Sequence, residues 1–359
     1  MASRAKSILI LFLTALLLSL LFVRSAPAEL PSKTAGPRTV VDQAGRTVVV
    51  REPVDRIVSG YYISTSVCLA LDIADRLAGI EAGAETRPIY ALSRPALLEL
   101  TSVGTAKDFN IEACIALNPG LVILPYRQRD TAETLVEMGI PAIVVNPESY
   151  EDMIGMIGLI GAATDADERA DLLIEWIRRG RENIDERVSG LAYRPGTYFA
   201  GVNTWLMTAS VDMFQAELIE ISGGRNVAEV ISGSSWAEIS YEQLLAMDPE
   251  VIIIPSEASY DIEDLYADPM LKSLTAIRND FVFKMPSFIE AWDSPIPASM
   301  LGARWLFEIL TLHEQNFNDI YLQEIPLLNF DYFYMEFYGF DARDALNQVL
   351  GYDEIHSAK

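Results

Sequence analysis

The stretch Glu112 to Pro125, EACIALNPGLVILP, recurs without gaps as Glu242 to Pro255, EQLLAMDPEVIIIP. Each copy reads acid, short apolar helix, Asn or Asp before Pro, an apolar run, and a closing Pro. One helix–strand unit is therefore used twice in the chain. Each copy also opens on a capping residue, Asn110 or Ser240, which places Glu112 and Glu242 in the first turn of a helix, where the helix dipole favours an acid. Two copies of one half-domain imply two similar lobes, and two lobes imply a cleft.

The chain has 359 residues, half of them hydrophobic, enough for two cores. Residues 1–28 are expected to be a cleaved signal peptide. Arg4 and Lys6 precede an apolar run from Ile8 to Val23, and Ala26-Pro27-Ala28 supplies a small-x-small cleavage signal before Glu29. No Cys follows the run, so a lipid anchor is not expected, and the mature protein is expected to be exported. The formal net charge of −24 repels nucleic acid and anionic lipid, which excludes both as partners. Cys68 and Cys114 sit in apolar helical patterns and are expected as buried free thiols.

Hydrophobic patterning predicts an α/β fold of two Rossmann-like lobes with central parallel sheets. Val40-Val41 and Thr47 to Val50 flank Asp42-Gln43-Ala44-Gly45, a hairpin signature. Strands at Arg56–Ser59, Leu121–Leu124 and Ala142–Val145 alternate with helices at Ser64–Arg76 and Thr131–Met138. The second lobe repeats the alternation, with strands at Thr197–Ala200, Val251–Ile254 and Phe281–Lys284. Its helices are expected at Phe214–Ser222, Tyr241–Met247 and Ser299–Leu310, with further helices over 318–350. Between the lobes, Asp167 to Leu191 contains no Pro and carries Ala170, Leu173, Ile174, Ile177, Ile184, Val188 and Leu191 at helical spacing. Such a helix makes a rod of roughly 36 Å. The domain boundaries that follow are 29–165 for the N-terminal lobe, 166–192 for the joining helix and 193–359 for the C-terminal lobe. A stiff joint of this kind allows a modest lobe rotation and no large hinge closure.

No phosphate-cradling loop, nucleophile elbow, HExxH or CxxC is present, and carboxylate pairs in so acidic a chain carry no catalytic signal. Ligands of open parallel sheets sit beyond the carboxyl ends of the strands. The loops there hold Tyr61, Tyr62, Asp108, Tyr126 and Arg127 in the first lobe. In the second they hold Trp205, Trp236, Tyr260, Phe288 and Trp292. Three of the five tryptophans fall in these loops, which suits a flat or bulky amphipathic ligand. Arg127 and Arg129 add positive charge for an anionic one.

The order TVVDQAGRTVVV…DRIVS, VGTAKDFNIEACIALNPGLVILP, a long helix, then WAEISYEQLLAMDPEVIIIP resembles the substrate-binding proteins of bacterial ABC importers for ferric siderophores, haem and cobalamin. The resemblance runs from about Thr39 to Leu310. It implies two lobes bridged by one helix, with a metal chelate held between them as cargo and no cofactor or protein-bound metal. It also implies that Glu112 and Glu242 each engage Arg residues on one of two permease subunits. Trp236 matches a pocket-lining position of cobalamin binders, and Ala106 stands where such binders can carry an aromatic. Binders of bare zinc or manganese use several histidines, and His313 and His356 are the only two here. The expected function is a monomeric periplasmic receptor for a metal chelate that delivers it to an ABC permease, without enzymatic activity. An oxyanion such as molybdate or tungstate is the alternative cargo. A tetrapyrrole chelatase on the same architecture is disfavoured by the signal peptide and the missing histidines.

Overall fold

The computed structural model describes residues 36–233, 235–286, 289–311 and 330–343. The segment 1–28, Phe288, His313 and His356 lie outside the described residues. No described helix is long and apolar enough to cross a membrane.

An antiparallel hairpin of β1 (Arg38–Val41) and β2 (Thr47–Val50) opens the fold. The Asp42 carboxylate accepts the Ala44 and Arg46 N–H groups, closing the turn, and also the Val144 N–H at 3.0 Å, pinning the hairpin to the first lobe. That lobe runs β3 (Ile57–Ser59), α1 (Tyr62–Ala70), β4 (Leu77–Ile80), α2 (Pro88–Ser93), β5 (Thr101–Ser102), α3 (Ile111–Ala116), β6 (Leu121–Pro125), α4 (Arg129–Glu137), β7 (Ala142–Val145) and α5 (Tyr150–Thr164). Its strands pair in parallel in the order β5-β4-β3-β6-β7.

A single helix, α6 (Asp167–Ser189), leads into the second lobe. There follow β8 (Gly196–Phe199), β9 (Met207–Ala209), α7 (Phe214–Ile221), β10 (Arg225–Asn226), β11 (Trp236–Glu238), α8 (Tyr241–Met247), β12 (Val251–Ile254), α9 (Ile262–Ala267), α10 (Thr275–Arg278), β13 (Val282–Lys284), α11 (Ser299–Thr311) and α12 (Phe330–Tyr338). The parallel order is β10-β8-β12-β13, and β9 and β11 form a small antiparallel pair beside it. The protein is thus two α/β lobes with central parallel sheets, bridged by one long helix.

The internal repeat survives in three dimensions. Residues 111–120 and 241–250 follow the same sequence of buried and exposed positions but for one residue. Asn110 and Ser240 both cap their helices, accepting the N–H groups of Ala113 and Gln243. Asn118 and Asp248 both turn through the left-handed region, at φ 48° and 36°. Asn and Asp tolerate that backbone better than other side-chain-bearing residues.

Side-chain alternation distributes the core. Leu121 and Ile123 of β6, with Val251 and Ile253 of β12, enter one large cluster that also takes Leu173 and Ile177 of α6. Val122 and Leu124 face a smaller cluster private to the first lobe, and Ile252 and Ile254 one private to the second. The large cluster therefore runs from lobe to lobe through α6.

Several elements depart from expectation. The helix expected at Ser64–Arg76 stops at Ala70, because Asp72 turns left-handed at φ 57°. The strand β4 that follows, LAGI, has too little β-branched content to announce itself. The helix α5 has no apolar stripe, since most of its circumference is buried, against β1, α1 and α6. Cys68 and Cys114 are buried and free.

The Ile177 side chain is fully enclosed on α6. Ile177→Ala should destabilise the protein by about 2–5 kcal/mol, the range for truncating a buried aliphatic side chain. Urea melts of the two proteins measure it, and coincident melts would show that α6 does not carry the shared core.

Candidate functional site

Both sheets present their carboxyl edges to one cavity of about 280 Å³. Tyr62 and Ser66 reach it from the start of α1, beyond β3. Arg87 and Tyr90 come from the segment beyond β4. Ser256 and Glu257 follow β12, and Ile289, Glu290 and Ala291 follow β13. In the first sheet the chain runs outward from β3 through β4, then returns to β6. In the second it starts at β8 and later returns to β12. The cavity lies against both reversals of strand order, where open α/β sheets hold ligands.

Among the described residues, the one guanidinium on the cavity wall is that of Arg87. It lies 3.9 Å from the centre of the Tyr62 ring, a cation–π stack. Across the cleft Arg87 Nη1 is 3.4 Å from Glu257, and Nε is 3.8 Å from Glu81. Arg87 Nε is buried and makes no hydrogen bond among the described residues. Glu81 is buried and accepts hydrogen bonds from the hydroxyls of Tyr90 at 2.5 Å and Thr65 at 2.7 Å. Burial raises its pKa against those two bonds. The stack is held from the other lobe as well, since the Tyr62 hydroxyl meets Ser294 Oγ at 2.6 Å.

A loop after β13 forms the floor. Trp292 plugs it into the core, its indole N–H donating to the Tyr334 hydroxyl at 3.0 Å. Asp293 accepts from Ser256 Oγ at 2.5 Å, and its carbonyl accepts from Gln215. Gly302 of α11 allows the close approach, since a Cβ there would stand 2.5 Å from the Trp292 carbonyl oxygen. This loop sets Glu290 into the wall, where Ser66 Oγ donates to it at 2.5 Å from the opposite lobe. Burial pushes the Glu290 carboxyl up to about 7, against the Ser66 and Tyr334 hydroxyls and the Arg87 charge, which pull it down. Asp293 is also raised by burial, against its Ser256 bond.

The sequence profile of the periplasmic binding protein family matches residues 57–288. The chain belongs to this family. As a periplasmic binding protein it is similar to the molybdate-binding protein MolA of Haemophilus influenzae, at 25% identity over 84% of this chain and 91% of that one. The vitamin B12-binding protein of Yersinia pestis is 23% identical over 63% of this chain and 79% of its own length. Among solved structures, a periplasmic solute-binding protein from Veillonella parvula superposes with a TM-score of 0.72 at 26% identity, over 88% of this chain and 97% of that one. A haem-binding protein from Roseiflexus, at 18% identity and a TM-score of 0.61 over 71% of this chain and 97% of that one, shares the fold.

Of the aromatic and charged residues expected to face the ligand of this binding protein, Tyr62 lines the cavity. Tyr61 stands beside it, edge-on at 5.5 Å. Trp292 requires correction: it is 3% exposed and committed to the core through Tyr334, so it presents no face to a ligand. Trp205 packs edge-on against Tyr260 at 5.3 Å within the second lobe's private cluster, and the Tyr260 hydroxyl closes on the Gly201 carbonyl. Trp236 is half-buried on β11, opposite Ala209. Asp108, Tyr126 and Arg127 are exposed and away from the cavity wall. Arg87 follows β4, a strand that its sequence does not announce, so nothing local marks it as a cleft residue. Glu290 lies between the expected Phe288 and Trp292, but one carboxylate among 51 acidic residues carries no signal of its own.

The raised Glu290 carboxyl links stability to pH. Its proton is retained in the fold and lost in the unfolded chain as pH climbs above the ordinary value of 4.5. The stability it contributes is fully present below that value and is lost as pH rises toward 7. Glu290→Gln removes the ionisation. Relative to wild type, the variant should gain about 3 kcal/mol between these limits, on the scale of 1.36 kcal/mol per pH unit. Denaturant melts at pH 4.5 and 7.5 compare the two proteins, and a difference independent of pH would mean that Glu290 is ionised throughout.

Proposed function

We propose that this protein is the substrate-binding component of an ABC importer whose cargo is a small oxygen-rich anion of the molybdate or tungstate class, held at Arg87. The observation that carries this reading is the inter-lobe cavity itself, into whose wall the described residues set one guanidinium, that of Arg87, stacked on Tyr62 and meeting the exposed Glu257 across the cleft. Guanidinium groups present paired donors that match oxyanion geometry. A space of about 280 Å³ falls at the lower edge of ligand pockets, roughly 300–1,000 Å³. A macrocycle the size of haem or a corrinoid would have to project beyond it into the open cleft. Similarity to MolA over most of both chains supports the same class. An anionic metal chelate is the second reading. It is favoured by the Tyr62 ring in the wall and by the likeness to vitamin B12-binding proteins. Capture and delivery require no chemistry from the protein, in keeping with relatives that are binding proteins rather than enzymes. The protein is proposed to act in the periplasm as a monomer after loss of residues 1–28; it is also similar to the ABC transporter substrate-binding lipoprotein YvrC of Bacillus subtilis.

Titration calorimetry with molybdate, tungstate, a ferric catecholate, haem and cyanocobalamin tests the cargo. Molybdate and tungstate should bind, and Arg87→Ala should weaken them by about 2–4 kcal/mol, roughly thirtyfold to a thousandfold in Kd. Heat only with the chelates would replace the first reading by the second.

Delivery is proposed to run through Glu112 and Glu242, each facing an Arg of one permease subunit. Both are exposed in first helical turns, one on each lobe. The Ser240 hydroxyl, then the backbone of its own helix turn, hold the Glu242 carboxyl below its usual range, so it is charged at neutral pH. Charge reversal of either to Lys should reduce uptake in cells, and the double reversal should reduce it further, because like charges then meet at both subunits. Cargo affinity of the purified variants is the control. Full uptake by the double reversal would leave these residues as ordinary helix-terminal acids.

A further inference from the structure

Glu290 differs from every other group on the cavity wall. It is 8% exposed, and Ser66 Oγ donates to its Oε1 at 2.5 Å from the opposite lobe. The Tyr334 hydroxyl lies 3.5 Å from its Oε2, and the Tyr338 hydroxyl lies 3.1 Å from Ser66 Oγ. No Lys or Arg among the described residues pairs with it, because the guanidinium of Arg87 is turned to Glu81 and Glu257. Enclosure disfavours the charged form of a carboxyl, and the Arg87 charge and the hydroxyls of Ser66 and Tyr334 offset this only in part, so the group holds its proton further up in pH than an exposed carboxyl does. A neutral carboxylic acid is a hydrogen-bond donor, whereas a carboxylate only accepts.

Oxyanions divide along the same line. Molybdate, tungstate and sulfate at neutral pH carry no proton and offer acceptors alone. Hydrogen phosphate still has a proton to donate. A wall that combines Arg87 with a protonated Glu290 places two donors at the cavity, matching the first group once the exposed Glu257 carboxylate gives up its contact with Arg87. With Glu290 ionised, the wall would repel a dianion and suit a ligand that donates.

We propose that Glu290 is a specificity-determining residue of this cavity, held as a carboxylic acid that donates a hydrogen bond to a fully deprotonated oxyanion. This rests on the small-anion reading of the cavity. Below neutral pH the donor is already in place. Above it, binding takes one proton from solvent onto Glu290. The other titratable and charged groups that share the cavity wall with Glu290 or bond to it are Tyr62, Arg87 and Tyr90 from the first lobe, Glu257 from the second, and Tyr334 and Tyr338 from α12, with Asp293 three residues along the same loop. Burial raises Tyr62, Tyr334 and Tyr338, which stay protonated through neutral pH. Asp293 is engaged by Ser256, and Asp293→Asn measures its share.

The test is calorimetry with sodium molybdate between about pH 6 and 9, in two buffers of different ionisation enthalpy, together with infrared spectra of the protein alone. Wild type should bind progressively more weakly above neutrality, by up to about tenfold per pH unit, with proton uptake approaching one per anion. Glu290→Gln should show one Kd across the range, whatever its level, and no proton uptake, because its amide donates at every pH. At pH 6 the wild-type spectrum should contain a protonated-carboxyl band that the Gln variant lacks. A missing band, a flat wild-type profile, or a slope that persists in the Gln variant would each overturn the role of Glu290 while leaving the anion reading intact. Absence of molybdate and tungstate binding at every pH, with the band present, would overturn the anion reading and the donor role together.

Discussion

Alternation along two strands ties the molecule together. In β6 and β12 one set of side chains enters a cluster private to its lobe, and the other set enters the cluster shared with α6. Spreading the lobes would expose that shared cluster to water at roughly 25 cal/mol per Å² of apolar surface. It would also require bending a continuous helix of 23 residues that contains no proline. A second tie reinforces the first. Arg169 of α6 donates to the Ala70 carbonyl at the end of α1 and pairs with Glu336 of α12 at 2.8 Å, while Trp176 stacks on Phe333 at 4.4 Å. The wall of the cavity is therefore set before cargo arrives, and adjustment falls to side chains at its mouth.

Glu257 is the side chain placed to adjust. It is 54% exposed, and it meets Arg87 at 3.4 Å across the cleft, so it costs little to move. Glu81 sits behind Arg87 and is fixed by Tyr90 and Thr65. The guanidinium is thus stacked on Tyr62 and backed by a buried acid. Its remaining partner is an exposed carboxylate, which the anion proposed as cargo would have to displace. A surface with a formal net charge of −24 offers an anion no long-range steering. Under the anion reading proposed above, selectivity would come from the donors on the wall rather than from the field of the molecule.

The fold was largely legible in the sequence, and the site largely was not. The repeat, the joining helix and the fully buried strands Leu121–Pro125, Ala142–Val145 and Val251–Ile254 announce themselves through continuous apolar runs and Pro punctuation. The edge-side strand Leu77–Ile80 and the enclosed helix Tyr150–Thr164 lack period and propensity, and their places depend on what packs around them. The cleft aromatics illustrate the harder case. Trp292, Trp205 and Tyr260 occupy the expected loops, but a loop position does not say which way a ring points, and each ring is used to anchor its own lobe. Arg87 and Glu290 acquire meaning only from partners distant in sequence, Glu257 and Ser66, which no local pattern relates to them.

The repeat also explains why cargo and permease would meet on one side of the molecule. A helix that leads into a parallel strand of the same sheet runs antiparallel to it, so its N-terminus lies at the carboxyl edge of the sheet. The helices α3 and α8 lead into β6 and β12 in this way, and their first turns carry Glu112 and Glu242. The loops that build the cavity leave from the same two edges. One duplicated unit therefore sets an acid outward on each lobe and aims the following strand at the cleft. If the permease grips both acids, it sits over the cavity, and the gap between the lobes faces the path the cargo must take. The shared core resists any large closure. Under the anion reading proposed above, release would act through the groups at the mouth, with Glu257 returning to Arg87.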